Sequence, residues 1–166
     1  MTRPPDAASA HPFGPSTELP AVILDRATDR AQEQGLPYAG AVTPAEACGL
    51  MQAGAATLID VRTRFENEYV GRVPNAPLIE WKALGATGPN PQFIEQLDGL
   101  KLDKTTPVLF LCRSGVRSHA AAVAATEAGY ENAFNILEGF EGDVDEHGHR
   151  GTRGGWRKAV LPWVQS

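Results

Sequence analysis

Seven consecutive residues, Cys112-Arg113-Ser114-Gly115-Val116-Arg117-Ser118, bring together a thiol, two guanidinium groups, two hydroxyls and a glycine. A free thiol ionises near pH 8.5, so it is only slightly thiolate at neutral pH, whereas a helix N-terminus flanked by arginine lowers that to roughly 3.5–7.5. If a helix begins just after Cys112, the backbone N–H groups of its first turn lack partners inside the helix and can hold an anion. The spacing therefore predicts that Cys112 is an activated nucleophile. Arg113 and Arg117 would favour the thiolate and an anionic substrate, and residues 113–118, Ser114, Gly115, Val116 and Ser118 among them, would form the cup that binds it. A buried structural cysteine is the competing reading.

Other residues with chemical potential read more plainly. Asp60 and Arg62 close a strand and either touch substrate or pair with each other, and with Glu66 or Glu68, to fix a loop; the second role is favoured. Cys48 stands three residues before Met51, a spacing that puts both on one helix face as core. His119 is expected as an exposed first-turn histidine. In Asp143-Val144-Asp145-Glu146-His147-Gly148-His149, His147 and Gly154 occupy places where a calcium loop needs oxygen ligands, so no metal is expected. Trp81, Trp156 and Trp163 read as core or rim packing.

The elements that must position Cys112 follow from the apolar pattern. Residues 108–111 form a continuous apolar run after Pro107, suited to a buried strand at the centre of a sheet. Val116, Ala120 and Val123 then repeat at helical spacing in an alanine-rich segment that ends at Gly129. Upstream, Ile23, Ala27 and Ala31 mark a weakly amphipathic helix over 23–34 ended by Gly35. Thr43-Pro44-Ala45-Glu46 is a capping box opening a helix to about residue 53. Residues 57–61 and 133–137 read as strands, 77–79 as a weaker one, and Asn90-Pro91 starts a helix through Phe93, Ile94 and Leu97. Strands alternating with helices imply an α/β domain with a mostly parallel sheet covered on both faces.

With 166 residues, one domain is expected. The boundaries predicted are a flexible tail over 1–20, a helical extension over 21–40 and the main domain over 41–166. The net charge of -5 argues against nucleic acid or an anionic membrane surface as a partner. No apolar run approaches the length of a membrane span, the N-terminus does not read as a signal peptide, and two cysteines make no disulfide scaffold. A cytoplasmic location is the expectation.

Three segments together resemble the rhodanese family of sulfurtransferases over about residues 41–163. Leu58-Ile59-Asp60-Val61-Arg62 is similar to its strand-ending Asp-x-Arg signature, Gly71-Arg72-Val73-Pro74-Asn75-Ala76 to its Gly-His-Ile-Pro-Gly-Ala stretch, and residues 112–118 to its active-site loop. Arg72 stands where the family usually has His and Asn75 where it has Gly, and the stretch from Asp60 to Gly71 is one residue longer than the common spacing. The loop over 139–156 is also longer than usual; with His149, Arg150 and Arg153 it is a candidate lid over the site.

The resemblance implies a three-layer fold and sulfane-sulfur transfer through a persulfide on Cys112, with no metal or organic cofactor. The donor would be a small anion such as thiosulfate, or a persulfide; the acceptor would be cyanide, a thiol or a sulfur carrier. Two alternatives stand beside it. One is a non-catalytic rhodanese-like binding module. The other is a phosphatase or arsenate-reductase type of enzyme, disfavoured because Arg117 follows Cys112 after four residues, whereas the phosphatase pattern has five.

Overall fold

Apolar side chains alternate along the central strands and divide the core into two faces. The computed structural model describes residues 14–166. In chain order the elements are α1 (Pro20–Gln34), β1 (Gly40–Val42), α2 (Pro44–Gln52), β2 (Thr57–Asp60), a π-helical turn (Glu66–Val70), α3 (Phe93–Gly99), β3 (Val108–Leu111), α4 (Val116–Glu127) and β4 (Ala133–Ile136). The strands form a four-stranded sheet of order β1-β4-β3-β2 with every neighbouring pair parallel. Leu58, Leu109, Leu111, Phe134 and Ile136 pack with α1, α2 and the buried Trp156 on one face. Ile59, Val108, Phe110, Cys112 and Ala133 pack with α3 and α4 on the other. Continuous burial along each strand, with successive side chains pointing to opposite faces, is what a parallel sheet between two helical layers requires, and the expected α/β class is the one observed.

The local signals act where the sequence puts them. Thr43 Oγ1 accepts from Glu46 N, and Glu46 Oε1 accepts from Thr43 N, completing the capping box of α2. Gly35 ends α1 in the left-handed conformation, with φ 63°. The weak strand expected at 77–79 reduces to an isolated parallel bridge between Leu78 and Asp60.

The stretch 21–40, expected as an extension, contributes α1 to the core itself. Ile23 and Ala27 are fully buried, and a Cβ on Gly40 would lie 2.6 Å from the Phe134 ring and 2.7 Å from Ala27 O. Helix and sheet therefore meet too closely there for any residue but glycine. Strand β1 was too short to read from sequence. Of the tail expected over 1–20, residues 1–13 lie outside the described residues. Within the remainder, Gly14 N donates to Ala159 O and Ser16 N to Ala45 O, and Pro20 already belongs to α1.

Candidate active site

Parallel strands end on one edge, and β3 delivers Cys112 to that edge in the middle of the sheet. Such edges are where open α/β sheets place ligands. Gly115, at φ 107°, turns the chain from β3 into α4 and serves as the helix N-cap. Gly115 N donates to Cys112 Sγ at 3.1 Å, and Ser118 Oγ lies 3.2 Å from the same sulfur. The first i to i+4 bond of α4 is His119 N to Gly115 O, so the amides of Val116, Arg117 and Ser118 have no carbonyl partner one turn back. Cys112 is 1% exposed, and its sulfur faces the Gly115 N–H and the Ser118 hydroxyl oxygen as well as the hydrocarbon of the α4 side. Ser114 is partly buried, and Val116 is exposed at the start of α4.

The two loop arginines have different surroundings. Arg117 donates Nη1 to Glu66 Oε2 and Nη2 to Glu66 Oε1, both at 2.8 Å. Its charge is thus largely met by a carboxylate, where the sequence suggested a cation available to substrate. Burial pushes the Glu66 carboxyl up, but Arg117 and the Thr63 amide and hydroxyl outweigh it and bring the pKa down to about 2. Arg113 is exposed, and among the described residues its guanidinium forms no ion pair.

Glu66 is held by the π-helical turn Glu66–Val70, in which Gly71 N reaches back five residues to Glu66 O. An i to i+5 turn accommodates one residue more than an α turn. Asn75, standing at a family glycine, has φ 63°, a conformation that asparagine tolerates better than most L-residues. Arg72, at the family histidine, donates to Ser166 Oγ and pairs through its backbone with Val164.

Asp60 and Arg62 form a buried pair: Nε to Oδ1 at 3.0 Å and Nη2 to Oδ2 at 2.8 Å. Arg62 also donates to Gly71 O and stacks 4.3 Å over the Phe140 ring. Its partners are not Glu66 or Glu68, as the sequence allowed. Glu66 serves Arg117, Glu68 serves Arg64, and Asn67 is the additional donor to Asp60. The pair thus ties the end of β2 to the start of the next loop.

A cavity of about 540 Å³ beside the thiol loop is lined by Arg113 and Arg117, by Thr63, Phe65, Glu66 and Val70, by residues 82–86 and by Glu141. From the expected lid over 139–156, only Glu141 reaches it. His149, Arg150 and Arg153 do not line this cavity; Arg150 and Arg153 instead donate to Gly142 O and Val144 O within their own loop. What the loop does contribute is a clamp: Phe140 N donates to Cys112 O and Glu141 N to Arg113 O. Gly139, at φ 63°, allows that approach, because a Cβ there would lie 2.5 Å from Arg113 C and 2.6 Å from Cys112 O. Gly139→Ala is expected to lower stability by at least about 1–2 kcal/mol from backbone conformation alone, and to reduce thiol-dependent activity more than tenfold. A denaturant melt and initial rates measure the two effects.

Sequence reasoning missed three residues of this neighbourhood: Glu66 as the partner of Arg117, Lys82 in the cavity wall, and Asn135. Asn135 was detectable as a lone amide inside the apolar strand 133–137. His119, expected exposed, is half-buried with Nδ1 2.7 Å from Tyr38 Oη. Cys48 is buried, and burial pushes its thiol up, away from reactivity. Trp156 is core, Trp81 packs edge-on against Phe93, and Trp163 is a partly exposed rim residue against Phe140. No helix among the described residues is long and apolar enough to cross a membrane.

The family model for the rhodanese-like domain matches residues 43–146. An uncharacterized protein of Rickettsia conorii is 36% identical over 115 residues, covering 65% of this chain and 82% of the relative. The thiosulfate sulfurtransferase GlpE of Haemophilus influenzae is 32% identical over 121 residues, covering 73% of this chain and 90% of GlpE. The crystal structure of Rv0390 from M. tuberculosis superposes with a TM-score of 0.70 at 41% identity, covering 78% of this chain and 99% of that one. The solution structure of a polysulfide-sulfur transferase from Wolinella succinogenes, at 23% identity and a TM-score of 0.53 over 85% of this chain and 90% of that one, shares the fold. The chain belongs to the rhodanese-like domain family.

Proposed function

We propose that this protein is a sulfurtransferase that carries sulfane sulfur as a persulfide on Cys112. The observation that carries this reading is the Gly115 N–H aimed at Cys112 Sγ from the N-terminus of α4. A donor amide at a helix start stabilises an anionic sulfur, whether thiolate or persulfide, and costs no reorganisation at the moment of reaction. The Cys112 thiolate attacks the outer sulfur of thiosulfate or of a persulfide donor. The donor S–S bond breaks, sulfite or the donor thiolate leaves with the electron pair, and Cys112 holds the transferred sulfur. A nucleophilic acceptor, cyanide or a thiol, then attacks that outer sulfur and releases the Cys112 thiolate. Neither half-reaction needs a metal or organic cofactor. Both cysteines are free, the state that a reducing compartment maintains, and the cytoplasm is the working compartment in this reading.

Arg113 is the cation that would meet an incoming anion, because Arg117 is already engaged with Glu66. Arg113→Ala is expected to raise KM for thiosulfate about five- to tenfold, with a smaller effect on a monoanionic persulfide donor. The difference should shrink as salt is added. The test of the function is thiocyanate formation from thiosulfate and cyanide by the purified chain. Turnover supports the assignment, whereas a folded protein without turnover on thiosulfate or on a persulfide donor favours the binding-module alternative.

A further inference from the structure

Ser118 has one hydroxyl proton and two neighbours with a claim on it. Its Oγ is fully buried, 3.2 Å from Cys112 Sγ and 2.6 Å from Asn135 Oδ1. The other end of the Asn135 amide fixes its orientation: Nδ2 donates to Gly115 O at 3.2 Å, so the atom meeting Ser118 is the oxygen, which can only accept. The hydroxyl proton therefore points to Asn135, and an oxygen lone pair faces the sulfur. That suits a thiol, whose S–H donates to Ser118 Oγ. It opposes a thiolate, which needs a donor. To ionise, Cys112 releases its proton to solvent and the Ser118 hydroxyl turns from Oδ1 to Sγ. The turn leaves a buried amide oxygen without its partner, at a cost comparable to a lost hydrogen bond.

We propose that Asn135 is a positioning residue that opposes ionisation of Cys112 by holding the Ser118 proton, so that forming the anion is coupled to the rotation of one buried hydroxyl. The proposal rests on Cys112 being the sulfur-carrying thiol. It concerns a residue on β4 that lies outside the cavity lined by Arg113 and Arg117 and instead lines, with Tyr38, Gly115, Val116 and His119, a second one of about 330 Å³ on the other side of the loop. The other charged or titratable groups around the loop are Arg113 and Arg117, Glu66 on its π-helical turn, Lys82 and Glu141 in the cavity wall, the Asp60–Arg62 pair at the end of β2, Tyr38, which meets His119 and the Asn135 amide, and Glu138, whose carboxylate accepts from Gly155 N. Substituting Asn135 by alanine removes no charge from this set.

The test is the pH dependence of iodoacetamide alkylation in the full chain, followed on the Cys112 peptide so that Cys48 does not contribute. With Asn135→Ala, Ser118 is free to donate to the sulfur, and the midpoint should fall by about one pH unit. With Ser118→Ala it should rise, and adding Asn135→Ala to Ser118→Ala should change nothing further. Asn135→Asp keeps an obligate acceptor opposite Ser118, so its midpoint should rise; this variant carries the test if the alanine variant does not fold. A midpoint that is unchanged or raised in Asn135→Ala, lowered in Asn135→Asp, or lowered by Asn135→Ala even without Ser118 overturns the proposal. Alkylation requires no sulfur donor, so a chain that fails to transfer sulfur would sink the functional reading and leave this measurement interpretable.

Discussion

Cys112→Ser is expected to abolish turnover, by at least about 10⁴-fold, while the protein melts within about 1 kcal/mol of the parent. Serine matches the thiol in shape, still accepts from Gly115 N, and still meets Ser118 in the same buried space. What it lacks is an ionisable sulfur: a hydroxyl at neutral pH is not an anion, and it cannot form and release a persulfide. The other thiol offers no rescue, since Cys48 lies in α2 on the opposite face of the sheet, where burial holds it protonated. Thiocyanate formation and a denaturant melt on the same sample check both halves of this expectation. Retained turnover in Cys112→Ser would mean that the reacting sulfur is elsewhere.

Glu66→Gln should cost both stability and activity. Both side chains of the Glu66–Arg117 pair are mostly buried, and removing the carboxylate charge leaves the guanidinium without its counter-charge. With the Glu66 pKa lowered from 4.5 to about 2, the ionised carboxylate, held by Arg117 and by the Thr63 amide and hydroxyl together, contributes about 3 kcal/mol. The sign follows from that lowering: the stabilisation is fully present above about pH 4.5, declines as the pH falls below it, and is lost as the pH falls through about 2. Urea melts at several pH values should show this loss in the parent and a flatter profile in Glu66→Gln. Turnover should fall about 10- to 100-fold, because Arg117 lies in the first turn of α4 and its release loosens the loop around Cys112. A variant as stable as the parent at pH 7 would show that the pair is not a structural tie.

Strands β2, β3 and β4, the helices and the thiol loop were legible because each carries a local signal. The run 108–111 is too short and too apolar for anything but a buried strand, the alanine-rich stretch after it repeats at helical spacing, and Gly115 marks the turn between them. What stayed hidden depends on partners far apart in sequence. Glu66 and Arg117 are 51 positions apart, and nothing local distinguishes Glu66 from Glu68 as the residue that faces the loop; the π-helical turn decides it. β1 has three residues and no alternation to read, so its place at the sheet edge emerges only when Gly40 lets α1 approach Phe134. That the loop over 139–156 lies beside the thiol turn follows from parallel strands ending on one edge; that its basic side chains cover the site does not. The loop then folds on itself through Arg150 and Gly142, so that its contact with the site is made by backbone at Phe140 and Glu141 rather than by its basic side chains.

The most direct measurement is peptide-resolved mass analysis after the protein meets a sulfur donor with no acceptor present. The peptide containing Cys112 should gain one sulfur atom, removable by cyanide, and the peptide containing Cys48 should gain none. Sulfur found on Cys48 instead, or on neither cysteine with thiosulfate and with a persulfide donor alike, would contradict a persulfide held in the Cys112 loop.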